Sequence, residues 1–163
     1  MKHIMSRSSK SKLTNVSDVD VQPNAVDLRL GKVFAIDVKL FVIDNDNKTH
    51  RGTKELKPDA DGYYFLVPGA YEVVLDNQIT VGENEAGWVI TRSTLVRNGL
   101  SITSGLYDSG YSGSMVCALH VTSGPAKIKK GTRIGQYLSF DSESLHLYDG
   151  DYGTGKEHDK KYQ

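Results

Sequence analysis

From residue 20 onward the chain is a succession of short runs rich in β-branched and aromatic residues, each cut off by turn formers. This rhythm constrains the fold more than any other feature. "KVFAIDVKLFVID" gives way to "NDNKTHRGTKELKPDADG", and then come "YYFLVPG", "AYEVVLDNQITV" and "GWVIT". Val33 and Ala35 alternate with Phe34 and Ile36, the period of two that sends successive side chains to opposite faces of a strand. Closely spaced turn signals make the fold an antiparallel, all-β sandwich or barrel. No long segment has helical periodicity, and no repeat of roughly 20 to 50 residues suggests a propeller or solenoid. One short helix is expected at "RSTLVRNGL", with Ser93 or Thr94 as cap, Leu95 and Val96 facing inward and Asn98-Gly99 as a left-handed exit.

The 163 residues suffice for one domain that removes about two-thirds of its unfolded surface from water. Three stretches are expected within it: a basic, serine-rich flexible arm over 1–20, a β domain over 21–147 and a polar, glycine-bearing tail over 148–163. Twenty basic residues balance twenty acidic ones, leaving no net field for a long polyanion, so nucleic acid is not an expected partner. A small anion held locally is still compatible with this balance. The lone Cys117 rules out a disulfide framework or a cysteine-rich zinc site within one chain. "MKHIMSRSSKSK" lacks the apolar stretch of a signal peptide, and nothing approaches the roughly 20 apolar residues of a membrane span, so a cytoplasmic location is expected.

Chemistry-bearing residues are sparse. The five histidines are scattered without ligand spacing, no G-x-S-x-G elbow occurs, and "GTGK" lacks the spacing and the hydroxyl residue of a phosphate loop. Arg92, Ser93 and Thr94 bring a guanidinium, two hydroxyls and unpaired N–H groups to the mouth of the expected helix, which suits a phosphate. Gln136 shares a strand face with Ile134 and Leu138, so its amide needs a partner from the backbone or a ligand. Asp108 is the single carboxylate of "GLYDSGYSG", a stretch of three glycines, two tyrosines and two serines between two strand-like runs.

Taken in order, these pieces resemble the superfamily of trimeric dUTP diphosphatases and dCTP deaminases. "VQPNAVDLRLG" looks like its opening motif, "LVPGAYEVV" its proline-glycine turn, "TRSTLVRNGL" its Arg-Ser motif and "GLYDSGYSG" its substrate hairpin. "KKGTRIGQYLSF" is similar to its Gly-x-x-Ile-x-Gln strand, and "KKYQ" resembles a deaminase tail. The resemblance implies a distorted jelly-roll barrel, a homotrimer with shared active sites and a pyrimidine deoxynucleotide as ligand. It also implies that Asp108 orients and deprotonates a water for attack on the α-phosphorus, while Tyr111 packs on the deoxyribose and excludes a 2′-hydroxyl. Ile102, Thr103 and Gly105 then border sugar and base, and Arg92, Ser93, Thr94 and Gln136 hold the phosphates. Asp27, Arg97, Lys161 and Tyr162 are further candidates. Mg²⁺ is the implied cofactor, held by substrate phosphates and water rather than by protein ligands.

The two branches of the superfamily do different chemistry. "NAVDLRLG", "RSTLVRNGL", Arg97 and "KKYQ" resemble the deaminases, which carry a glutamate ten residues after the aspartate matching Asp108. Here that position is Ala118, and a methyl group moves no proton. His120 is the nearby titratable residue, and Tyr111 resembles the hydrolases. The expectation is therefore a deaminase-like scaffold that hydrolyses dUTP to dUMP and pyrophosphate. Action on dCTP or a modified pyrimidine nucleotide, and a non-catalytic nucleotide-binding regulator, stay open as alternatives. The usual glycine-rich hydrolase tail is absent, and Lys156, Lys160, Lys161 and Tyr162 are the residues with which this tail would close a site. The compact chain would also suit a virus-encoded enzyme.

Overall fold

A computed structural model describes residues 1–163. Its strands are β1 (Lys12–Leu13), β2 (Val26–Ile36), β3 (Thr53–Leu56), β4 (Tyr63–Leu66), β5 (Gly69–Thr80), β6 (Glu85–Thr91), β7 (Leu100–Thr103), β8 (Ser112–Val121), β9 (Ala126–Lys129) and β10 (Arg133–Asp141). A single α-helical turn, α1 (Ser93–Val96), lies between β6 and β7, and short 3-10 turns occupy Asp18–Asp20 and His158–Tyr162. The main sheet runs β6-β10-β2-β5-β8-β7, with β1 added to β5 and β3 to β2, and all its pairings are antiparallel. Its two ends curl together. The Thr91 hydroxyl on β6 bonds both the N–H and the C=O of Ile102 on β7, and the Ser104 hydroxyl accepts the Val89 N–H. The result is a nearly closed, jelly-roll-like barrel, as the alternation and turn spacing imply; β4 and β9 form a separate ribbon beside it.

Two changes of phase set which side chains reach the core. Val26, Leu28 and Leu30 point inward, the pairing with β5 then slips between Leu30 and Lys32, and Val33 takes over the inward position. Gly31 sits at this bulge because a Cβ there would lie 2.7 Å from the Val74 carbonyl oxygen. The second slip lies between Arg133 and Gly135 on β10. It leaves Ile134 in the core but turns Gln136 outward with Leu138 and Phe140, while Tyr137 and Ser139 point in. The common face inferred from the sequence for Ile134 and Gln136 is therefore split by a bulge. Outside, Trp88 on β6 stacks on Phe140 with ring centroids 4.6 Å apart and planes 10° from parallel.

Both ends of the chain are built into the barrel rather than loose. Ile4 joins the core, and the Lys2 N–H donates to the Ser139 carbonyl at 2.7 Å. The buried Glu85 carboxylate gathers the Lys2 ammonium, the Lys10 and Ser11 amides and the Ser9 and Ser11 hydroxyls. Burial alone would raise its pKa, but bonds from the Ser11 hydroxyl, the Lys10 amide, Lys2 and the Ser11 amide outweigh burial and hold it at about 2. At the other end Tyr162, 7% exposed, covers Phe34 and Val74 on the outer side of the sheet. Phe34 is thus buried on the face opposite Val33, because the tail lies over it.

Candidate active site

A cavity of about 470 Å³ opens between the 105–111 hairpin, the outer faces of β5 and β8, and the tail. Gly105, Leu106, Tyr107 and Tyr111 form its hairpin side, Glu72 and Val116 its floor, and Tyr148, Tyr152, His158, Asp159 and Tyr162 its tail side. His50 completes the wall from the long exposed segment between β2 and β3. Its ring lies 4.2 Å from that of His158, and Lys48 pairs with Asp151 at 2.7 Å, so this segment is fastened to the tail. Burial, followed by the neighbouring His158, lowers the His50 pKa.

The tail is positioned by backbone bonds. Tyr148 N–H donates to the Ser109 carbonyl (2.7 Å) and Thr154 N–H to that of Ser112 (2.8 Å). Gly113 permits this approach, since a Cβ on it would sit 2.8 Å from the Gly153 Cα. Asp159 accepts the Gly153 N–H at 2.6 Å, and Lys161 reaches Glu72 at 2.9 Å. Tyr162 thus forms part of the cavity wall, while Lys161 stands outside it and holds Glu72. Tyr111 lies in the wall, its hydroxyl donating to the Ser114 carbonyl at 2.8 Å, and burial pushes its phenol pKa well up, so it stays a neutral donor.

Asp108 stands at the exposed tip of the same hairpin, outside the cavity wall of its own chain. Its backbone carbonyl accepts the Tyr111 N–H at 3.0 Å, and its carboxylate braces nothing within the chain. Gly105 faces open space on the cavity side, and Thr103 is exposed with its hydroxyl 3.4 Å from His120 Nε2. Ile102 corrects the expectation that it borders the base: its side chain is buried in the core against the Gly135 side of β10, where strand alternation turns it away from the cavity.

The phosphate candidates form a second cluster. Asp27, with 0% exposure, accepts the Gln136 amide at 2.9 Å and the Gln22 amide at 3.2 Å. The Arg92 Nε and an Arg133 nitrogen approach the same carboxylate at 3.4 and 3.3 Å. Asp27 thus brings Arg92 and Gln136 together, and Arg133, which sequence reasoning missed, joins them. The helix differs from expectation. Arg92 is its N-cap residue, with its side chain turned to Asp27 rather than to a helix N–H, while Ser93 and Thr94 are exposed within the turn and make no capping bond. Val96 is 58% exposed, because a single turn has room to bury only Leu95. Gly99 does supply the left-handed exit, with φ of +71°. Arg97 is exposed after the helix, apart from Asp27.

These two clusters do not meet in one chain. Gly87 pairs with Tyr107 at one end of β6, whereas Arg92 leaves the other end, about 17 Å away at the rise of a strand. No three His, Cys, Asp or Glu side chains converge to hold a metal. No helix is long and apolar enough to cross a membrane.

Comparison with known proteins places the chain. A probable deoxyuridine 5'-triphosphate nucleotidohydrolase of Methanopyrus kandleri is 31% identical over 134 residues, covering 81% of this chain and 86% of that protein. One from Halobacterium salinarum is 32% identical over 142 residues, covering 84% and 85%. Among solved structures, the 2'-deoxycytidine 5'-triphosphate deaminase of Agrobacterium tumefaciens shares the fold, with a TM-score of 0.63 at 18% identity over 84% of this chain and 45% of that one. The dCTP deaminase-like family model matches residues 2–141, so arm and barrel alike are accounted for, and the chain belongs to that family.

Proposed function

We propose that the protein hydrolyses dUTP to dUMP and pyrophosphate. One observation carries the reading: a single hairpin sets Tyr111 in a nucleoside-sized cavity and leaves the Asp108 carboxylate free at its tip. Ala118 in β8 adds no acid of its own, and the relatives from Methanopyrus kandleri and Halobacterium salinarum are named for this activity.

In this reading Asp108 orients a water and takes its proton as the water oxygen bonds the α-phosphorus and the bond to pyrophosphate breaks. Tyr111 packs on the deoxyribose, where a 2′-hydroxyl has no space. Arg92, Ser93, Thr94 and Gln136 hold the phosphates. The separation of the two clusters along β6 supports a site assembled between chains, with the hairpin of one subunit facing the Arg92 cluster of another in a homotrimer. Without a converging set of side-chain ligands, the residues suit a Mg²⁺ that rides on the phosphates and water. When bound there, the ion neutralises charge on the departing pyrophosphate.

The test is purified protein with dUTP, dCTP, dTTP and UTP, measuring pyrophosphate, monophosphate and ammonia. Pyrophosphate from dUTP in preference to UTP is expected, with a loss of about a hundredfold or more for Asp108→Asn. Ammonia from dCTP without pyrophosphate from dUTP would overturn the reading.

A further inference from the structure

We propose that Glu72 determines which base the cavity takes, its carboxylate accepting a hydrogen bond from the N3–H of uracil. This deepens the dUTP reading and rests on it. Glu72 projects from β5 into the cavity floor, on the sheet face opposite the core residues Tyr71 and Val73. Register places it across from Ala118 on β8 and Phe34 on β2, and Ala118 in turn faces Thr103 on β7.

The cavity holds two carboxylates, and their situations differ. Asp159 is used by the fold: it accepts the Gly153 N–H and pairs with His158 at 3.1 Å. Glu72 is held by Lys161 at 2.9 and 3.3 Å, and Lys161 is not part of the cavity wall. The ammonium bonds both carboxylate oxygens from outside the cavity and the Tyr162 hydroxyl bonds the same carboxylate from the cavity wall, which leaves about one of its four acceptor positions to a ligand.

Position agrees with this role. The Tyr111 hydroxyl reaches Ser114, Val116 lines the floor, and Glu72 stands at the level of residue 118. The four steps from residue 114 to residue 118 span about 13 Å of strand. A pyrimidine nucleoside fits within that span with its sugar on Tyr111 and its base edge toward Glu72. A carboxylate accepts hydrogen bonds and donates none. It pairs with the N3–H of uracil but meets a lone pair at N3 of cytosine, so the same group that attracts one base repels the other.

Equilibrium binding of dUMP, dCMP and N3-methyl-dUMP tests this without requiring turnover, so failure of the hydrolytic reading shows separately as absent pyrophosphate release from dUTP. Wild-type protein should prefer dUMP to dCMP by about tenfold or more, and Glu72→Gln should narrow that preference to about threefold or less. Wild type should reject N3-methyl-dUMP, whereas Glu72→Ala, with space for the methyl, should bind it about as well as dUMP. Lys161→Met, which frees the carboxylate without removing it, should weaken dUMP binding by a smaller factor. An unchanged dUMP-to-dCMP ratio in folded Glu72→Gln, or rejection of N3-methyl-dUMP by both wild type and Glu72→Ala, would overturn the proposal.

Discussion

Asp27 on β2 and Gln136 on β10 stand directly opposite each other, joined by a 2.9 Å hydrogen bond from the Gln136 amide to a carboxylate that has no contact with solvent. Arg92 and Arg133 share the other oxygen of that carboxylate. Asp27→Asn keeps the shape but removes the charge that draws the two guanidinium groups together. A loss of about 1–3 kcal/mol in urea unfolding is expected. KM for dUTP should rise more than kcat falls, because in the proposed site the groups displaced hold phosphate rather than the attacking water.

Acid stability should depend on Glu85. Its carboxyl is depressed from its ordinary 4.5 to about 2 in the folded chain, so it binds a proton more readily when unfolded. The stabilisation is therefore complete above 4.5 and is lost as pH falls toward 2. Glu85→Gln should cost on the order of 3 kcal/mol at neutral pH. Urea midpoints of variant and wild type should converge as pH falls through that window.

Gly99 has φ of +71°, and a Cβ there would lie 2.1 Å from Ser123 Oγ. Its carbonyl also accepts both the N–H and the hydroxyl of Thr122. Gly99→Ala should destabilise by about 1–3 kcal/mol, read as a lower melting temperature, and should disturb the adjacent helical turn that bears Ser93 and Thr94.

Tyr162 ties the tail to the barrel through Phe34, whose ring centroid is 6.0 Å away, and through a bond from Lys32 to its carbonyl. Tyr162→Ala should release the tail locally rather than unfold the barrel. Hydrogen exchange should show lost protection at Thr154 and Asp159 while the amides of β5 and β8 stay protected.

The strands, the hairpin and the Gly99 exit are legible in the sequence because each depends on neighbours a few residues away. Gln136 is misread because a strand's alternation tells which residues share a face but not where a bulge changes the phase, whereas Ile102 takes its expected place from the resemblance alone, and the regular alternation of β7 turns it into the core. Gly31 in "LRLGKVF" is a visible signal of such a bulge, while the slip at Arg133–Gly135 involves pairing with distant Arg29 and carries less local trace. Arg133, His50 and Glu72 escape notice because their roles come from partners far along the chain. The arm reads as loose, and the seat of the tail is not legible, for the same reason: Glu85 and Phe34, which bind them, are remote in sequence from both.

Trp88 is the sole tryptophan of the chain, 39% exposed and stacked on Phe140 on the outer side of β6 and β10. Its fluorescence is therefore an intrinsic optical reporter of one sheet surface. Emission shifts to the blue when that surface is shielded from water and to the red when it is bared, so the covering of this flank can be followed without attaching a dye.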